Sequence, residues 1–189
     1  MPMNRRRLVT GLMASAAMPY SGRVRAQGIS RATAFGFSFK ALDGGDIKLA
    51  DYSGSPILIV NTASLCGYTP QYAGLETLWA RYRNRGLLVL GVPSNDFGGQ
   101  EPGAASDIHA AAHQHGATFP LTEKVSVKGS EAHPFYRWAA LQRPTELPRW
   151  NFHKYLVGRD GTLAAAFPSA VEPTDTRIII AIEKELGFA

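Results

Sequence analysis

The chain carries a single cysteine, Cys66, at a position where a thiol could do chemistry. Before it runs ILIVNTAS (57–64), a continuous apolar stretch of the kind that forms a buried strand, and after it Pro70 opens a helical pattern. A thiol between a strand end and a helix start meets unpaired helix N–H groups and the positive end of the helix dipole. Both favour thiolate over thiol, so this short, exposed loop is expected to carry a soft nucleophile. The alternative is a buried structural cysteine, since Cys also behaves as a small hydrophobe. Thr69 stands where the second cysteine of a C-x-x-C pair would be, which removes disulfide exchange within one site. A Cys–His pair for hydrolysis stays open, with His109, His113, His115, His133 and His153 as candidates. His109 and His113, four apart on one helical pattern with His115 nearby, could also ligate a metal, although no acid is spaced with them in a known pattern.

The elements that must position these residues alternate in type. Phe35, Phe37 and Phe39 recur with period two, and the turn LDGGD (42–46) precedes IKLADYSG, which predicts an N-terminal hairpin. The apolar run 57–64 leads to a helix from Thr69 or Pro70, with Leu75, Leu78, Trp79 and Tyr82 on one face and Gly86 past its end. GLLVLGVPS (86–94) is a second buried strand, followed by the loop NDFGGQEPG, a helix from about Ala104 to His115 and a third strand-like run FPLTEKV (119–125). A short helix over Ala132–Leu141, a Pro-rich charged loop over Arg143–Trp150 and a hairpin in 151–169 closed at Arg159-Asp160-Gly161 come next. A final helix over Thr174–Leu186 carries Ile178, Ile179, Ile182 and Leu186 as its stripe. This order predicts one α/β domain built on a mixed central sheet with helices on both faces.

Composition excludes several classes and explains the charge. With 189 residues, 45% hydrophobic and 19% charged, the chain is long enough for one sizeable core and is neither a disulfide-dense miniprotein nor a coiled coil. The formal charge of +5 comes from Arg5, Arg6, Arg7, Arg23 and Arg25, because residues 1–26 hold no acid. The remainder is formally neutral, so net charge does not argue for a nucleic-acid partner. Residues 1–26 have a basic head, a mildly apolar stretch from Leu8 to Met18 and small residues up to Ala26, the layout of an export signal. That stretch is too short to span a membrane. NRRRLV resembles the bacterial twin-arginine motif, with Asn4 where Ser or Thr is usual. The expected organisation is a signal peptide over 1–26, a linker over 27–33 and one domain over 34–189, located in the periplasm, with a cytoplasmic protein bearing a basic tail as the alternative.

Three blocks carry a resemblance. NTASLCGYTPQYAGLETLWARY (61–82), VLGVPSNDFGGQEPG (89–103) and RWNFHKYLVGRDG (149–161) resemble, in order and spacing, the three signatures of the glutathione peroxidase family. The resemblance covers about Ala34 to Leu186 and implies a thioredoxin-like fold and peroxide reduction by a cysteine-containing, compact, non-animal member. It places Cys66 at the peroxide-attacking position and Gln100, Trp150 and Asn151 at the positions of its catalytic partners. The residue types suit that chemistry: an indole N–H and two carboxamides donate to a thiolate and to the departing oxygen without adding net charge.

The resemblance further implies hydrogen peroxide and organic or lipid hydroperoxides as substrates, no bound cofactor or metal, an external thiol such as glutathione as co-substrate, and a monomer, since the 143–148 segment is short. Three departures qualify this. SDIHAAAHQHGATFP (106–120) lacks the resolving cysteine of many relatives, Ser94 replaces a frequent cysteine, and Asn95-Asp96-Phe97 replaces Asn-Gln-Phe, bringing a charge beside the site. A different class of function, a redox-sensing or partner-binding module in which Cys66 forms an intermolecular disulfide, is the alternative.

Overall fold

In the computed structural model the described residues are 32–188, so the expectations for 1–26 and for most of the 27–33 linker lie outside them. Two apolar strands form the centre. β3 (Ile57–Thr62) and β4 (Leu88–Pro93) run parallel, with Ile57 opposite Leu88 and Thr62 opposite Pro93, and every residue of both is buried. On its other edge β3 pairs antiparallel with β5 (Lys154–Val157), which pairs antiparallel with β6 (Leu163–Phe167), giving the order β4-β3-β5-β6. The separate hairpin β1 (Ser38–Lys40) and β2 (Asp46–Lys48) turns through Gly44 and Gly45, both at positive φ. The fold is thioredoxin-like: a mixed central sheet, helices on both faces and an N-terminal hairpin.

The pleat divides the core in two. Leu58, Val60, Val89 and Leu156 project to the face covered by α1 (Gln71–Tyr82), α2 (Ala105–Gln114) and α4 (Thr176–Leu186), where they meet Tyr72, Leu75, Ile108, Ile178 and Ile182. Ile57, Ile59, Leu88, Leu90 and Tyr155 project to the other face, covered by α3 (Pro134–Gln142) and the hairpin, where they meet Phe39, Phe135 and Trp138. The helix ends follow their local chemistry. The Asp175 carboxylate accepts from Arg177 N at the start of α4 and Gly187 closes it at φ 80°. Pro134 occupies the first turn of α3.

One expected strand does not form. In 119–125 only Leu121 and Thr122 make bridges, to Gly91 and Ala41. Pro120 has no N–H to give, and Thr122 turns its hydroxyl back onto the Glu123 carbonyl. The segment lies so close to β4 that a Cβ at Gly91 would collide with the Leu121 side chain.

His153, at the entrance to β5, is 5% exposed, stacks edge-on to Tyr155 at 4.6 Å, and its Nε2 has no hydrogen-bond partner. Burial, aided by neighbouring Lys154, lowers its pKa from the usual 6.5 to about 4. The unfolded chain therefore takes up a proton that the folded chain refuses, and stability falls as the pH drops from about 6.5 to about 4. The loss is at most about 3 kcal/mol. Urea unfolding across this window is expected to show a falling midpoint, and His153→Phe is expected to flatten most of that slope. His133, whose pKa burial also lowers, supplies part of the remainder. An unchanged slope in His153→Phe would assign the effect to other groups.

Candidate active site

Cys66 lies in the turn between β3 and α1, and Thr69 shapes that turn. The Thr69 hydroxyl accepts from Cys66 N at 3.1 Å and faces the carbonyls of Ala63 at 2.9 Å and Cys66 at 2.7 Å. Thr69 N also donates to Cys66 O at 2.9 Å. One buried side chain thus ties both ends of the loop, from the position where a C-x-x-C pair would have its second sulfur. The Cys66 Sγ accepts from Tyr68 N at 3.4 Å. The loop is less open than its sequence suggests. Cys66 is 8% exposed and its side chain joins the α1 face of the core, while the adjacent Leu65 is 66% exposed.

The start of α1 is fixed from across the sheet. Lys154, fully buried on β5, donates to Gln71 Oε1 and Val171 O, each at 2.5 Å, and to Ser169 O at 3.4 Å. Its three protons have three acceptors, although burial lowers its pKa to about 8. Gln71 Nε2 in turn donates to Ser169 O at 2.8 Å.

The loop after β4 brings in Gln100. Gly98 and Gly99 adopt successive positive φ values of 66° and 64°, and a Cβ on Gly98 would lie 3.4 Å from the Trp150 ring. The loop then meets the cysteine turn directly, with Leu65 N donating to Gln100 O at 3.0 Å. The Asp96 charge is directed elsewhere: its carboxylate accepts from Ser126 Oγ, Val127 N and Lys128 N at 2.6–3.1 Å. Ser94, fully buried, continues the parallel ladder by donating from its N to Thr62 O.

Trp150 and Asn151 arrive on the third loop, and Asn61 on β3 holds them. Asn61 Nδ2 donates to Trp150 O at 3.1 Å, Asn61 O accepts from Phe152 N at 2.6 Å and Asn61 N donates to His153 O at 3.3 Å. Phe152 sits at φ 63°, alone among the described non-glycine residues in that region. Fully buried Asn151 then donates to Gln100 Oε1 at 2.9 Å, while Trp150 stays 39% exposed with its ring 6.0 Å from that of Phe97. The second and third loops are therefore tied to each other through Gln100 and Asn151, and the second is tied to the cysteine turn at Leu65. Gln100 and Asn151 are bonded to each other, and among the described residues the hydrogen bond to Sγ comes from Tyr68 N rather than from Trp150, Gln100 or Asn151.

Three of the five histidines are engaged elsewhere. His109 pairs with Asp43, His115 stacks near Tyr72, and His133 stacks on Phe39 and contacts Ser38 O. No histidine hydrogen-bonds Cys66 among the described residues, and none of those residues form a group of three or more His, Cys, Asp or Glu able to hold a metal. Sequence reading passed over Asn61, Lys154 and the stapling by Thr69. The signal available for each was a polar residue inside or beside an apolar strand or at a helix start.

A family model for glutathione peroxidase matches residues 34–140. A hydroperoxy fatty acid reductase, gpx1, from Synechocystis sp. is 44% identical over 164 residues, covering 82% of this chain and 96% of the relative. A glutathione peroxidase-like peroxiredoxin, GPX5, from Chlamydomonas reinhardtii is 44% identical over 143 residues, covering 74% and 88%. Among solved structures, the apo form of Trgpx superposes with a TM-score of 0.67 at 32% identity, covering 82% of this chain and 97% of that one. GPX1 of T. cruzi gives 0.63 at 31%, covering 82% and 94%. A thiol:disulfide interchange protein DsbE of Chlorobium tepidum, at 19% identity and a TM-score of 0.58 over 80% of this chain and 93% of that one, shares the fold.

The Thr69 staple generates a direct test. Thr69→Val removes the hydroxyl and leaves the Cys66 N–H unpaired, so it is expected to lower stability by about 1–2 kcal/mol. It should also slow the reaction of Cys66 with hydrogen peroxide by about tenfold, because the loop no longer holds the sulfur in place. Thr69→Ser should restore both. Urea midpoints and stopped-flow tryptophan fluorescence read the two effects, and a Thr69→Val protein as fast as wild type would remove the staple from the chemistry.

Proposed function

This chain belongs to the glutathione peroxidase family of peroxidase-type, thiol-based redox enzymes, and from that premise we propose that it reduces hydrogen peroxide and organic or lipid hydroperoxides at Cys66. The observation that carries the reading is the Asn151–Gln100 hydrogen bond, which joins two carboxamides beside Trp150 on loops tied to the cysteine turn. A lipid hydroperoxide as one substrate is supported by the Synechocystis relative, a hydroperoxy fatty acid reductase.

In the proposed reaction the Cys66 thiolate attacks the terminal peroxide oxygen. The S–O bond forms as the O–O bond breaks, Cys66 becomes a sulfenic acid, and the departing oxygen takes a proton to leave as water or an alcohol. The carboxamides of Gln100 and Asn151 and the indole N–H of Trp150 stabilise the charge that develops on that oxygen. Because none of the three donates to Sγ in this structure, the role requires their N–H groups to turn to the reacting atoms once peroxide is bound. One external thiol then condenses with the sulfenic acid, releasing water and forming a mixed disulfide, and a second thiol displaces Cys66. With one cysteine in the chain, both thiols come from outside, from glutathione or another thiol.

The leader completes the reading. We assign residues 1–26, outside the described residues, to a twin-arginine export signal and the working enzyme to the periplasm.

Stopped-flow mixing with hydrogen peroxide and with a fatty-acid hydroperoxide is expected to oxidise Cys66 rapidly in the wild type and not at all in Cys66→Ser. Gln100→Ala and Trp150→Ala should be slower by about a hundredfold, the scale of losing one donor to a developing oxyanion. A wild-type thiol that stays reduced under peroxide would sink the enzymatic assignment. A slow thiol that nevertheless accumulates a disulfide with another protein would favour the sensing module. N-terminal sequencing of protein from the periplasmic fraction should begin near Gln27, whereas cytosolic protein starting at Met1 would refute export.

A further inference from the structure

The chemistry above leaves one buried acid without a role. Glu101 directly follows Gln100 and is fully buried, yet neither of its carboxyl oxygens has a hydrogen-bond partner. Its backbone, by contrast, is fully engaged: Glu101 N donates to Asn95 Oδ1 at 2.8 Å and Glu101 O accepts from Lys124 Nζ at 2.9 Å. Lys124 also donates to Gly103 O at 2.9 Å, so this cation is bound to two carbonyls rather than to the carboxyl.

The groups around the carboxyl are three hydroxyls and the Ser64 amide. Ser64 turns its hydroxyl and amide towards it, the Tyr72 hydroxyl lies within its electrostatic reach, and the Thr62 hydroxyl faces that of Tyr72. The hydroxyls of Thr62, Ser64 and Tyr72 are themselves buried and, like the carboxyl, have no well-formed hydrogen bond. Four polar side chains from β3, the cysteine turn, α1 and the Gln100 loop thus lie beside the cysteine turn with their hydrogen-bonding capacity unspent. Beside them a cleft of about 480 Å³ opens between Ser64, Leu65 and Glu101 on one side and Asp107 and Gln114 of α2 on the other. No cationic side chain among the described residues lines this cleft, and the Asp107 carboxylate there caps α2 by accepting from Ala104 N. A buried carboxylate with no cation bonded to it is costlier than a buried acid that can donate its proton to an open hydroxyl oxygen. Burial accordingly raises the Glu101 pKa, with Ser64 and Lys124 opposing the shift.

We propose that Glu101 is a positioning residue, a neutral carboxylic acid that lies beside the cysteine turn and couples it, through Ser64, to the loop carrying Gln100. The coupling works beside the Leu65 N to Gln100 O hydrogen bond, so the two loops are joined at two points. Neutrality is part of the role. Ser64 is two residues from Cys66, and a negative charge facing it would oppose the thiolate that attacks peroxide. The inference rests on the reading of Cys66 as the peroxide nucleophile.

The full chain and its Glu101→Gln and Glu101→Ala variants would be compared by the pH profile of Cys66 alkylation with iodoacetamide and by the rate of oxidation with hydrogen peroxide. Glu101→Gln keeps the shape and a proton donor, so its alkylation midpoint should match wild type within about 0.3 pH units and its oxidation rate within about twofold. Glu101→Ala should keep the midpoint but react with peroxide about tenfold more slowly or worse. A Glu101→Gln midpoint lower by about one unit would overturn the proposal, because it would reveal a charge that had been opposing the thiolate. So would Glu101→Ala oxidised as fast as wild type, or Glu101→Gln as slow as the alanine variant is expected to be. If Glu101→Ala does not fold, Glu101→Leu, which keeps the bulk without a proton donor, replaces it with the same expected slowing, and a Glu101→Leu protein oxidised as fast as wild type would overturn the proposal. Absence of peroxide oxidation in the wild type would instead sink the enzymatic reading, leaving the alkylation profile to decide the charge of Glu101.

Discussion

The candidate site depends first on one side chain at the end of one strand. Asn61 is the last but one residue of β3, and its three polar contacts fasten the segment Trp150–His153 to the strand that leads into Cys66. Residues 89 positions apart are held in register by a fully buried carboxamide and by its own backbone. The arrangement forces Phe152 into a left-handed conformation that a bulky residue seldom adopts. The bend that results puts Trp150 at the surface and Asn151 in the interior, facing Gln100. An apolar residue at position 61 would suit the strand equally well by burial, but it would leave the Trp150 carbonyl without its partner. Polarity inside a buried strand is here the mark of the site.

On the proposed reading, a nucleophile that is 8% exposed has to reconcile packing with access. The cysteine turn does so by dividing its residues: Cys66 and Thr69 face inward, while Leu65, Gly67 and Pro70 face solvent. Thr69 fixes the backbone from inside, and the Gln100 loop fixes it from the side. The sulfur accepts a single backbone N–H, so its remaining lone pairs are open to a reacting atom. A peroxide needs only to reach one sulfur along one line. A bulky thiol needs more room, which links the second half of the proposed cycle to movement of exposed groups such as Leu65 and Trp150.

Much of this was legible in the sequence because it follows from periodicity and turn chemistry. The runs 57–64 and 86–94, the amphipathic α1 and α4, and the hairpin through Arg159-Asp160-Gly161 all follow from patterns that burial and glycine conformations enforce. The grouping of Cys66, Gln100, Trp150 and Asn151 was proposed from the three signature blocks rather than from any spacing rule, since their loops are separated by whole elements; the structure shows the Asn151–Gln100 bond and the Leu65–Gln100 tie. What the sequence hid was the partner of each polar group. Nothing in 95–97 says that Asp96 turns away to cap 126–128, and nothing in FPLTEKV says that it will make only two bridges. Lys154 falls in the segment read as a hairpin, and its ammonium is buried among carbonyls contributed from residues 71, 169 and 171. These are tertiary hydrogen bonds, and local sequence carries no record of them.

The absence of a second sulfur changes the demand on α2. In a chain that closed an internal disulfide, the helix bearing the resolving cysteine would have to open so that two distant sulfurs could meet. Here Ile108 and Ala112 anchor α2 in the core, Asp107 caps its start and His109 pairs with Asp43 in the hairpin turn. All of these contacts favour a helix that stays in place. On the proposed cycle no step asks it to move, because the thiols that regenerate Cys66 arrive from solvent. The helix can instead form one wall of the cleft beside Ser64 and Glu101, and its stability then supports the geometry of the cysteine turn throughout the reaction.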